Sequence, residues 1–124
     1  MSRIAELLRC ITGLVFWPDY DVSSDERGFT TLRDGKPAGR VEWASIRRIE
    51  AFKKDQITVD LVCFAVTYTE VDQPLAVEVN EDMPGFADLE RRLVANLPGF
   101  MTDWRTSVIK PAFALNWTVI YERE

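Results

Sequence analysis

A chain of 124 residues, 47% hydrophobic and 28% charged, is sized and composed for one globular domain with its own core. Its net charge of −5 argues against duplex nucleic acid, whose binders present a basic face that releases condensed counterions. The chain has no histidine, which removes Ser-His-Asp and Cys-His catalysis and His-based metal sites; with no EF-hand spacing either, no metal or cofactor is expected.

Ile4, Leu7, Leu8, Ile11, Leu14 and Val15 recur at helical spacing around Arg3, Glu6 and Arg9, which predicts an amphipathic helix over residues 1–17. The apolar run from Cys10 to Trp17 is too short to span a bilayer, so no transmembrane segment is expected. Glu6 and Arg9 interrupt the apolar centre that a signal peptide needs. This segment is expected to pack on its own sheet or, in a homodimer, on a second subunit. Cys10 and Cys63 lie far apart, with no CxxC partner, and a cytoplasmic protein is expected.

Residues 18–27 are polar and turn-rich and read as a linker, leaving 28–124 as the body of a single domain. Residues 28–33 form a strand, and Asp34-Gly35 is a hairpin turn whose central residues accept positive φ. The returning strand covers about 38–43, with Val41 and Trp43 on one face. Ile46–Lys53 and Ile57–Val66 are expected to pair across a turn at Lys54-Asp55-Gln56. The second of these carries apolar residues on both faces, as a covered central strand does.

After a turn at Val71–Pro74, Leu75, Val77 and Val79 point one way in a further strand. Phe86, Leu89, Leu93 and Leu97 mark one face of a helix over Pro84–Leu97, and a short helix over Asp103–Ile109 follows. Asn116–Arg123 closes as a strand with Trp117, Val119 and Tyr121 on one face. The expected fold is α+β: one curved antiparallel sheet of about six strands, with the Pro84–Leu97 helix packed across it and the amphipathic helix before it.

The W-x-x-I-x-x-I step of Trp43, Ile46 and Ile49, set between strands and followed by a late helix, resembles bacterial pleckstrin-homology-like domains. That resemblance implies a step that carries the chain around a corner of the curved sheet. Residues 38–124 also look similar to a family of short uncharacterised bacterial proteins. The elements are I-x-A-F-K-K-D-x-x-T-x-D (Ile49–Asp60), E-D-M-P-G-F (Glu81–Phe86), L-P-G-F (Leu97–Phe100) and N-W-T-V-I-Y-E-R (Asn116–Arg123). It implies no activity.

Four groups of residues are candidates for a site. Lys53, Asp55 and Asp60 form a polar constellation that an acid–base or anion site could use; an internal ion pair is the plainer role. Arg47, Arg48, Lys53 and Lys54 concentrate positive charge and could receive a phospholipid headgroup. Trp104 beside Arg105 has the composition of a partner anchor. Acids at Asp19–Glu26 and at Glu78, Glu81 and Asp82 could face a basic partner and speed encounter. A non-catalytic protein–protein interaction module, with an immunity-type inhibitor as one form, stands ahead of an enzyme and of a phospholipid binder.

Overall fold

The computed structural model describes residues 20–56, 59–109 and 117–123. Of these, the side chains of residues 55, 56, 59, 60 and 109 are not described. The expected N-terminal helix lies outside the described residues.

Seven strands and two helices are described. Strands β1 (Tyr20–Ser24), β2 (Gly28–Arg33) and β3 (Lys36–Glu42) make an antiparallel sheet in the order β1-β2-β3. Strands β4 (Ile46–Gln56), β5 (Val59–Glu70), β6 (Gln73–Asn80) and β7 (Thr118–Glu122) make a second, in the order β6-β5-β4-β7. Helices α1 (Phe86–Asn96) and α2 (Trp104–Ile109) lie between β6 and β7 in the chain. The architecture is α+β and mostly strand, but its seven strands divide into sheets of three and four where one sheet of about six was expected.

The division falls at Trp43–Ser45, a single 3₁₀ turn that interrupts the ladder between β3 and β4. Trp43 is buried there, its backbone N–H and its indole N–H donating to the carbonyls of Arg27 and Glu26. Arg123 fixes the same corner from the other end of the chain. Its guanidinium donates to the carbonyls of Ile46 at 2.9 Å and Trp43 at 3.1 Å.

Residues 20–24 form strand β1 where a linker over 18–27 was expected. The cause is local. The Asp25 carboxylate accepts the backbone N–H groups of Arg27 and Gly28, closing a tight turn that folds Tyr20–Ser24 back on β2. Val22, the strand's inward residue, is buried, and its N–H donates to the carbonyl of Pro84 at 2.9 Å. This contact seats β1 against the start of α1. Gly85 makes it possible: its φ is +93°, and a Cβ there would stand 1.8 Å from the carbonyl oxygen of Val22.

β4 and β5 pair antiparallel as expected, but the ladder continues through Asp55↔Asp60 and Gln56↔Val59. The expected turn residues therefore belong to strand β4. One face of this sheet carries Ile49, Ala51, Val62, Phe64 and Val66 into the main core, with Val22, Phe29 and Val41 of the first sheet and Phe86, Leu89, Leu93 and Trp104 of the helices. The opposite, outer face carries Phe52, Leu61, Cys63 and Ala65. Burial on both faces makes residues 61–66 of β5 a continuous buried run.

The expected alignment of Trp117, Val119 and Tyr121 does not hold. A register shift opposite Ile49 and Glu50 pairs Tyr121 with Ile49, on the core face, and Val119 with Glu50, on the outer one. Trp117 stacks on Phe52, with ring centroids 4.0 Å apart and planes within 11°.

Candidate functional site

The three residues of the expected acid–base constellation share a sheet face. Lys53 and Asp55 are two apart on β4, and Asp60 is the register partner of Asp55. Lys53 is 2% exposed and engaged in an interaction, so it is an internal lysine of the core face. The side chains of Asp55 and Asp60 lie outside what is described.

The four cations do not converge. Strand alternation puts Arg48 and Lys54 on the outer face and Lys53 on the core face, while Arg47 is exposed at the corner. Lys54 is ion-paired with Glu78 at 2.8 Å. Arg48 lies 3.3 Å from Glu50 and 3.5 Å from Glu122. Arg48 and Lys54 are thus balanced by carboxylates of their own sheet.

Trp104 and Arg105 come together with Glu81 and with Glu90 of α1. The Trp104 indole N–H donates to Glu90 Oε2 at 3.1 Å, and Arg105 donates to Glu90 Oε1 at 3.0 Å. The guanidinium also stands 4.5 Å above the Trp104 ring, and 3.9 Å from Glu81 Oε2. Glu81 Oε1 accepts the backbone N–H of Val62. This arrangement fastens α2 to α1 and to the end of β5. Trp104 is 1% exposed, edge-on to Phe64 with centroids 4.9 Å apart, so it packs inward and offers no surface to a partner. Asp82 is exposed, its N–H donating to Asn80 Oδ1.

Two further carboxylates are held ionised by their surroundings. The Arg40 guanidinium, with the N–H groups of Arg27 and Gly28, keeps Asp25 well below the usual carboxylate range. Hydrogen bonds from Ser24 and Arg92, with the charge of Arg91, also lower the carboxyl of Asp88. Asp25 ties the β1–β2 turn to Arg40 of β3, and Asp88 ties α1 to Ser24 of β1. Cys63 is buried, and desolvation reinforced by Glu78 pushes its thiol far above the ordinary value, which leaves it inert as a nucleophile. Among the described residues no three of Cys, Asp and Glu gather as a metal site. No described helix is long and apolar enough to cross a membrane.

One surface feature escaped the sequence reading. The β5–β6 hairpin turns through Val71 and Asp72, both at positive φ (50° and 61°), with Glu70 paired to Gln73 across the turn. A β-branched residue is sterically ill-suited to that backbone, and Val71 is 88% exposed. The available signal was the lack of Gly or Asn in a two-residue hairpin. Glu70 and Asp72 flank the valine, so the tip is an apolar knob between two acids.

No family model, no curated protein and no solved structure matches the chain.

Proposed function

We propose that this protein is a non-catalytic module that binds a basic protein partner, with an immunity-type inhibitor in the cytoplasm as the form of that activity. The observation that carries the reading is Val71. A left-handed backbone at a β-branched residue costs on the order of 1–2 kcal/mol, and an 88% exposed side chain recovers little of that cost within the fold. A partner's apolar pocket would recover it, and Glu70 and Asp72 would favour a rim of lysine or arginine. The pairing of Arg48 and Lys54 with carboxylates of their own sheet also supports a protein partner over a phospholipid headgroup.

The pleckstrin-homology-like reading belongs to the same proposal. It is supported by the Trp43–Ser45 corner, where the W-x-x-I-x-x-I step passes from one antiparallel sheet to the next, and by the helix after the last hairpin. Strand β7, after the helices, departs from that pattern.

The test is affinity capture from a native lysate with wild-type and Val71→Asn protein, followed by association kinetics at two salt concentrations. A basic protein retained by wild type, lost by the variant, and binding more slowly as screening shortens to about 8 Å at physiological salt supports the reading. Retention of a small metabolite instead, or equal retention by the variant, overturns it.

A further inference from the structure

Two antiparallel sheets leave four edge strands, β1, β3, β6 and β7. Three of these edges are met or blunted. The N–H of Val22 on β1 donates to the carbonyl of Pro84 at 2.9 Å. On β7 the carbonyl of Ile120 accepts the N–H of Met101 at 2.8 Å. β3 carries Lys36, Pro37 and a register shift between Pro37 and Gly39, all devices that keep an edge from pairing.

β6 is different. Its hairpin closes on Glu70↔Gln73, so alternation aims the backbone groups of Leu75, Val77 and Val79 at β5. Those of Pro74, Ala76, Glu78 and Asn80 point away from the sheet. Pro74 has no N–H to leave open. Asn80 is engaged, its N–H meeting Met83 Sδ at 3.3 Å and its carbonyl accepting the N–H of Met83 at 3.1 Å. Among the described residues, nothing pairs with the outward N–H and C=O groups of Ala76 and Glu78. Beside them, Leu75 is 38% exposed and Val77 only partly buried, both on the core-facing side of the strand.

Exposed acids stand at both ends of this edge, Glu70 and Asp72 at the hairpin tip and Asp82 beyond Asn80. A second copy pairing antiparallel through β6 would set the acids of one end against those of the other. Like charges opposed across strands are destabilising. The edge suits a basic strand from another protein.

We propose that the partner adds an antiparallel strand to β6, a segment that alternates basic and apolar side chains. The inference rests on the function proposed above and extends its docking point from Val71 along the edge. Residues opposite Ala76 and Glu78 bond the outward groups and turn their basic side chains to the outer face, beside Glu78. The residues between them turn apolar side chains to the other face, against Leu75 and Val77. The 8 residues of β6 span about 26 Å, so one such segment reaches the acids at both ends.

The probe is an acetylated peptide of alternating lysine and valine, as long as β6, added to the full-length protein. At saturation, amide hydrogen exchange at Ala76 and Glu78 should slow at least about 10-fold. N-methylation of the lysine nitrogens, which face β6 in the added strand, should abolish that protection. N-methylation of the valine nitrogens, which face away, should leave it. Exchange at Ala76 and Glu78 that stays fast, or equal protection by the lysine-methylated peptide, overturns strand addition whether or not a lysate yields a basic partner. Protection already present without peptide, together with a dimer's mass in light scattering, puts a second copy on the edge and overturns it too. If the peptide protects both amides but no basic protein is captured from lysate, the proposed function fails and the strand-accepting edge stands.

Discussion

The indole of Trp104 and the carboxylate of Glu90 join the two helices through a 3.1 Å hydrogen bond, while Arg105 bonds the other oxygen of the same carboxylate. Trp104 also meets Phe64 of β5 edge-on, so one side chain links both helices to the central strand. Removing it should open a cavity that the surrounding rings cannot fill. Trp104→Ala should destabilise the protein by about 3–5 kcal/mol. Trp104→Phe keeps most of the volume and loses the hydrogen bond, at about 1–2 kcal/mol. Denaturant midpoints at constant m check both; equal midpoints for wild type and Trp104→Ala would contradict the assigned packing.

Gly85 and Gly35 share a left-handed backbone but not their surroundings. A Cβ on Gly35 would meet nothing within 4 Å, whereas one on Gly85 would strike the Val22 carbonyl. Gly35→Ala should therefore cost only its backbone strain, about 1–2 kcal/mol. Gly85→Ala adds the loss of the β1–α1 seat and should cost at least about 3 kcal/mol. Similar midpoints for the two variants would mean that β1 does not depend on this approach.

Much of the fold was legible wherever a local pattern had one structural solution. Asp34-Gly35 accepts the positive φ of a tight hairpin, and both residues adopt it (53° and 77°). The unbroken apolar run of β5 required cover on both faces. Residues 20–24 were not legible, because Y-D-V-S-S carries a single buried apolar residue and its turn is made by Asp25, a side chain outside the strand. The face switch in β7 escaped because a register shift has no signature in alternation. Trp104 with Arg105 was read as a partner anchor, and Glu81 separately as part of an acidic face, whereas the structure brings the three together around a buried indole. Spacing alone could not show that Glu90 closes the group from α1 and turns the tryptophan inward.

Acid should loosen the β1–β2 turn that Asp25 holds and the β1–α1 contact that Asp88 holds. Asp25 and Asp88 both have carboxyls depressed below their unfolded value of 3.8, so the folded state binds protons less readily than the unfolded chain. Their contributions are complete above that unfolded value and disappear as pH falls through the depressed folded values. Urea midpoints should be level between about pH 7 and 5 as far as these groups are concerned, then fall below about pH 4. The double variant Asp25→Asn, Asp88→Asn should start lower at neutral pH and fall less steeply. Parallel curves for variant and wild type would assign the acid limb to other carboxylates.

Val71 yields a prediction in which stability and binding move in opposite directions. Asparagine accepts left-handed φ far better than a β-branched residue, and the valine side chain has almost no contacts to lose at 88% exposure. Val71→Asn should therefore raise stability by about 0.5–1 kcal/mol, visible as a higher denaturant midpoint at unchanged m. A contact outside the folded chain would recover the strain that Val71 leaves at the exposed tip. The same variant should lose the basic partner of the proposed function. A midpoint lowered by Val71→Asn would show that the valine packs within the protein, and the hairpin tip would lose its claim as the docking point.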